Sequence, residues 1–111
     1  MEINSTAFGS VTIDNRAYPH DVWIFVDEHI ERRDKNHDFS IEELKIIGRE
    51  KPDVIVIGTG QSGVMDVGEE VKEAAKHKGI ELVIAETPEA IEKYNQLSKE
   101  KRTAAAIHVT C

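Results

Sequence analysis

Cysteine is almost missing from this chain. Of its 111 residues one is cysteine, Cys111, at the last position. An internal disulfide is therefore impossible, and a zinc site built on several thiolates is excluded. Positive charge is also in short supply. Fourteen Lys and Arg stand against twenty-one Asp and Glu, a net charge of −7. That balance argues against nucleic-acid binding, which draws on clustered cations, and against anionic membrane surfaces. It suits a solvated surface or a basic partner. No stretch approaches 18 apolar residues, so no membrane-crossing helix is expected. Met1–Ser5 has neither a basic n-region nor an apolar h-region, so the chain is expected to be cytoplasmic.

The sequence contains no internal repeat, low-complexity run or linker. Its length is that of one domain, 1–111, which buries roughly 65% of its unfolded surface. Residues 1–39 are β-rich. Val11-Thr12-Ile13 alternates, Asp14-Asn15 turns and Ala17-Tyr18 returns. Val22–Val26 is apolar on both faces, as in a strand covered on both sides. Asp27-Glu28-His29 turns the chain, and Ile30-Glu31-Arg32 pairs back. Residues 34–39 are expected as loop. Ser40 caps a helix with Glu43 three positions on, a capping-box pattern. Ile41, Leu44 and Ile47 form its apolar stripe, and Pro52 prevents its continuation.

Val54-Ile55-Val56-Ile57 is a continuous β-branched run, the mark of a buried parallel strand. A loop, Gly58-Thr59-Gly60-Gln61-Ser62-Gly63, follows. The next helix is predicted from about Asp66 to Lys78, with Val67, Val71, Ala74 and Ala75 inward and Gly79 closing it. Leu82–Ala85 is a strand. Thr87 is predicted to cap another helix, with Pro88 at its first position and Ile91, Tyr94 and Leu97 buried. Thr103–Val109 is the last strand, and its run Ala104-Ala105-Ala106 lets a helix approach the sheet. The β-α-β-α-β order of residues 54–109 predicts an α/β domain. Its sheet is mainly parallel, with helices against it and a β addition at the N-terminus.

Gly58-x-Gly60-x-x-Gly63 sits between a strand and a helix like a dinucleotide fingerprint, with Glu86 where a ribose-binding carboxylate would stand. Against it, Asp66, Glu69 and Glu70 crowd the start of the next helix and would repel phosphate. No Lys or Arg lies between Pro52 and Val71. Other motifs fail. Gly60–Val64 lacks the last glycine of a nucleophile elbow. Asp34-x-Asn36-x-Asp38 has Phe39 for the calcium-loop glycine and Lys45 for its glutamate. Strand alternation sets His108 and Cys111 on opposite faces, against a thiolate–imidazole couple.

Ligands of open parallel sheets bind beyond the carboxyl ends of the strands. A pocket there would draw on Gly58, Thr59, Gly60, Gln61, Ser62, Gly63, Glu86 and Thr87, with Arg102 as a further neighbour. Gly60→Val would abolish binding and leave the fold intact. Asn95, near a buried helix face, needs hydrogen-bond partners, either backbone of a neighbouring loop or a ligand. No catalytic residue, metal site or cofactor is assigned.

Several segments together carry a resemblance. They are Val54-Ile55-Val56-Ile57-Gly58-Thr59-Gly60, Lys78-Gly79-Ile80, Thr87-Pro88-Glu89-Ala90, Tyr94-Asn95-x-Leu97 and the ending Ile107-His108-Val109-Thr110-Cys111. The chain resembles the small α/β family of the adipogenesis-associated domain-containing protein and, more distantly, the mitochondrial NADH dehydrogenase (complex I) assembly factors. The resemblance implies a three-layer domain with a mixed central sheet and an N-terminal β-hairpin region. It implies no agreed activity, and relatives that act through protein partners. The expected function is a non-enzymatic cytoplasmic interaction or assembly module, pairing with a protein or with itself through the Val22–Val26 segment as sheet edge or apolar patch. The competing expectation is a small-molecule or anion binder at Gly58–Gly63.

Overall fold

A computed structural model describes residues 1–111. The chain opens as an antiparallel meander of β1 (Ile3–Ala7), β2 (Ser10–Ile13) and β3 (Arg16–Tyr18). At the β2–β3 turn both Asp14 and Asn15 have positive φ, 49° and 67°. That is the turn geometry whose twist matches the flanking strands. Alternation sends Ile3, Val11 and Ile13 inward.

Strand β4 (Val22–Ile24) pairs antiparallel with β5 (Ile30–Arg32). The turn between them is tied by the Phe25 N–H donating to the His29 carbonyl at 3.0 Å. The His29 ring stacks on Phe25. Its hydrogen bonds to Glu31 and then Asp27 hold its pKa above the usual 6.5.

The remaining elements are β6 (Asp38–Phe39), α1 (Ile41–Ile47), β7 (Val54–Thr59), β8 (Asp66–Val67), α2 (Glu69–His77), β9 (Glu81–Ala85), α3 (Thr87–Leu97) and β10 (Thr103–His108). The central sheet runs β5-β4-β10-β7-β9. β10, β7 and β9 are parallel, and β4 joins β10 antiparallel. The sheet is therefore mixed, with its parallel part where the βαβ pattern predicts it.

Two cores lie on its two faces. On one, Leu44, Ile47, Val71 and Ala75 of α1 and α2 pack on Phe25, Ile55, Ile57, Ala104 and Ala106. On the other, Ala90, Ile91 and Tyr94 of α3 and the meander's Ile3, Val11 and Ile13 pack on Val22, Ile24, Val56, Ala105 and Ile107. The result is three layers, as the resemblance implies. The alanine run fills the middle strand, and its small side chains admit α1 on one face and α3 on the other.

Five local expectations are corrected. Residues 34–39 are not all loop, because Asp38–Phe39 bridges Asp66–Val67 in parallel. That bridge, with the Asp66 N–H donating to His37 O at 2.8 Å, keeps Asp66 and Val67 extended. Helix α2 accordingly begins at Glu69, with Gly68 at its cap. The capping box at α1 is half made. The Ser40 hydroxyl accepts from the Glu43 N–H, but the Glu43 carboxylate turns inward to Trp23 and Arg33. The cap position of α3 is Glu86, not Thr87, and Thr87 lies inside the first turn. Finally, Val22–Val26 is no edge, because β4 has hydrogen-bonded neighbours on both sides and Val22, Ile24 and Phe25 are buried.

Ala105 lies fully buried between sheet and α3. Ala105→Leu should destabilise the fold by about 1–3 kcal/mol through overpacking, read as a lowered urea midpoint at unchanged m-value.

Candidate functional site

The carboxyl ends of β7, β9 and β10 meet at Gly58–Gly63, and the structure gathers most of the sequence-selected residues there. Gly58 allows α3 to lie against β7, since a Cβ on it would meet the Thr87 hydroxyl at 2.9 Å. Thr87 is fully buried and ties three segments together. Its Oγ1 accepts from the Gly60 N–H at 2.9 Å and donates to the His108 carbonyl at 2.6 Å. The Thr59 hydroxyl donates to Ala85 O at 3.1 Å. The Gln61 side chain reaches the meander, donating to Thr6 Oγ1 at 2.9 Å.

The backbone donors of this loop are already engaged. The Gln61 N–H donates to Thr110 O, the Ser62 and Val64 N–H groups both donate to Cys111 O, and the Gly63 N–H donates to Gly60 O. In a phosphate-binding loop these groups would face the ligand. Here they hold the Thr110–Cys111 segment. Strand β8 also separates the loop from α2, and at the start of α3 the Thr87 N–H is already spent on Gly60 O. Glu86 stands beside Gly63 and adds negative charge.

Gly60 has φ +109°, and a Cβ there would collide with the Cys111 backbone and approach the His108 ring to 2.9 Å. Gly60→Val is therefore not a silent change, contrary to expectation. It strains the turn and displaces Thr110–Cys111. Because β10 ends at His108, strand alternation does not extend to Cys111, and both residues border Gly60.

Two selected residues lie elsewhere. Arg102 is at the opposite end of the sheet, where its backbone accepts from the Asp53 and Val54 N–H groups. Asn95 is bonded at both ends of its amide to Ile3, accepting from its N–H at 2.9 Å and donating to its carbonyl at 2.8 Å. It thus fastens β1 to α3.

The densest polar chemistry was not marked by any motif. Asp21, Arg33, Glu43 and His108 are all buried and bonded to one another. Arg33 uses every guanidinium donor. Nε and Nη2 meet the Glu43 carboxylate, Nη1 meets Asp21 Oδ2 at 2.6 Å, and the remaining hydrogens go to Asn36 O and Asp38 O. Burial alone would lower the Arg33 pKa. The hydrogen bonds and charge of Glu43, then of Asp21, outweigh it and hold the pKa above its ordinary value.

Asp21 Oδ2 also accepts from His108 Nδ1 at 2.7 Å, and Oδ1 accepts from the Val109 N–H at 2.9 Å. A carboxylate offers only acceptors, so His108 Nδ1 carries the proton of this hydrogen bond. Its Nε2 then faces the Thr110 hydroxyl at 3.4 Å. The His37 ring packs edge-on against His108, with ring centroids 5.3 Å apart. Asp21 and Arg33 also line a small cleft with His20, Arg32, Lys35 and Thr110.

The chain can now be set beside known proteins. A family model described as a protein of unknown function (DUF498/DUF598) matches residues 3–108. NADH dehydrogenase (ubiquinone) 1 alpha subcomplex assembly factor 3 of Danio rerio is 39% identical over 71 residues, 62% of this chain. The chain spans 40% of that relative's length. The crystal structure of the conserved hypothetical protein PH1505 from Pyrococcus horikoshii OT3 superposes with a TM-score of 0.90 at 33% identity, covering 100% of both chains. A structure named MT938 gives 0.84 at 32% identity, covering 99% of this chain and 98% of its own.

Arg33→Ala should cost about 3–5 kcal/mol, because it leaves two buried carboxylates without their cation. Chemical denaturation measures it. Gly60→Val should cost about 2 kcal/mol or more through strain and displacement. Hydrogen exchange should show the Ser62 and Val64 amides losing protection in that variant.

Proposed function

Because the chain belongs to the DUF498/DUF598 family of proteins of unknown function, we propose that it is a non-enzymatic cytoplasmic module for assembly or regulation. It acts through protein contacts, the first of them with a second copy of itself. The observation that carries this is strand β9. It is an edge of the central sheet, paired only with β7. Its sequence Glu81-Leu82-Val83-Ile84-Ala85 carries charge only at its first residue. It has neither the lysine nor the proline that usually guards an edge. Ile84 is exposed. The opposite edge, β5, is shorter and carries Glu31 and Arg32.

The segment is self-complementary. Within Glu81–Ala85 an antiparallel two-fold pair centred on Val83 sets Leu82 of one copy against Ile84 of the other. Apolar pairs facing one another across strands stabilise such a ladder. A relative named as an assembly factor supports a function exercised through protein contacts. No helix of the chain is long and apolar enough to cross a membrane.

The competing function, a small ligand held by Gly58–Gly63 with Glu86 and Thr87, keeps the support of its position beyond the strand ends. It requires the Thr110 and Cys111 carbonyls to leave the loop donors, so a ligand there should raise the melting temperature and shift the Gln61, Ser62 and Val64 amide resonances.

Sedimentation equilibrium tests the edge. The apparent mass should rise with concentration from 12.5 kDa toward twice that value. Ile84→Lys should stay monomeric with an unchanged far-UV spectrum. A mass that holds at the monomer value at every concentration overturns the pairing.

A further inference from the structure

The cleft over Asp21 and Arg33 has a cavity volume of about 180 Å³. It opens where Val109 and Thr110 leave the carboxyl end of β10, between the Gly9 turn of the meander and the residues following β5. Its base is made of charged side chains that are almost wholly buried, Asp21 at 3% exposed and Arg33 at 2%. These groups are held in fixed positions by their mutual bonds.

The wall is basic in a chain that is acidic overall. His20, Arg32, Arg33 and Lys35 line it, against one carboxylate, Asp21. Both oxygens of that carboxylate already accept from Arg33, His108 and the Val109 N–H. Asp21 therefore has little left to offer a cation. The donors are in the reverse condition. Arg32 and Lys35 are exposed, and neither is paired with a carboxylate. The Thr110 hydroxyl has only its long 3.4 Å contact with His108 Nε2, and turning it toward another oxygen loses little.

We propose that this cleft is a binding site for a small oxyanion, a carboxylate or phosphate group. Arg32 and Lys35 clamp the anion and the Thr110 hydroxyl donates to it. Arg33 stays inside, its donors spent on Asp21, Glu43 and two carbonyls and its charge balanced by the two carboxylates, and contributes a rigid floor. The volume sets the ligand class. Pockets for drug-sized molecules span roughly 300–1,000 Å³, so this one takes a terminal phosphate or a short carboxylic acid and leaves no room for a nucleotide. An arginine fork matches the oxygens of either group. The site lies on the far side of β10 from the β9 edge and does not rest on self-pairing.

Titration of the full chain with inorganic phosphate in one arm and acetate in the other, followed by amide chemical shifts, tests it. The expected result is a saturable shift confined to Gly9, Lys35, Val109 and Thr110. The arm with the lower half-saturation identifies the anion. In the double variant Arg32→Gln, Lys35→Gln the affinity should fall about tenfold or more with the rest of the spectrum unchanged. Lys93→Gln, on α3, should leave it as it was. Three results overturn the proposal. One is the absence of saturation by either anion. Another is a shift spread equally over the basic residues near Arg49 and Lys78. The third is a pocket shift that survives the double variant.

Discussion

One buried cation organises the polar interior of this domain. Arg33 reaches from the end of β5 into the space between α1 and the sheet, and its guanidinium meets Glu43 on α1, Asp21 before β4 and two loop carbonyls. Through Asp21 the same network reaches His108 and the Val109 N–H at the end of β10. Segments far apart in sequence are thereby brought to one point. Such a cluster adds little net stability over an apolar core of equal volume, since desolvation offsets most of the attraction. What it imposes is geometry. Each donor has one acceptor, so α1, β4 and β10 are held in a single arrangement.

That arrangement also governs what the strand ends offer. Where a glycine loop follows a parallel strand, its N–H groups form a concavity suited to anions. In this fold the chain's own Thr110–Cys111 segment takes that place, steered by His108 beneath it and Thr87 beside it. The open polar concavity is displaced to the other side of β10, over Asp21 and Arg33. A match to a glycine motif reports the backbone shape of a turn. It does not report which group the turn holds.

Much of the framework is readable residue by residue. Val54–Ile57 is apolar at every position because β7 is covered on both faces. Asp14-Asn15 turns because both residues tolerate positive φ. Ala104–Ala106 are small because two layers close on them. The errors share a cause, the capture of a local signal by a distant partner. Glu43 has the spacing of a capping box, yet its carboxylate finds a stronger partner in a guanidinium. Thr87 has the chemistry of a cap, yet it is drawn to Gly60 and His108. Asp66 and Val67 fit a helical stripe, yet bridging to Asp38 and Phe39 keeps them extended.

The amino-acid order by itself determined the type of most of the main elements, the parallel βαβαβ core and the acidic, cysteine-poor composition. These follow from periodicity, turn chemistry and composition, which act over a few residues. Tertiary structure alone decided which strands are edges, that Arg33 is buried, and where the concave polar surface lies. Asp21 and Arg33 are 12 residues apart, and Asp21 and His108 are 87 apart. No local pattern records such pairings, because they arise from how sheet, helix and meander pack together.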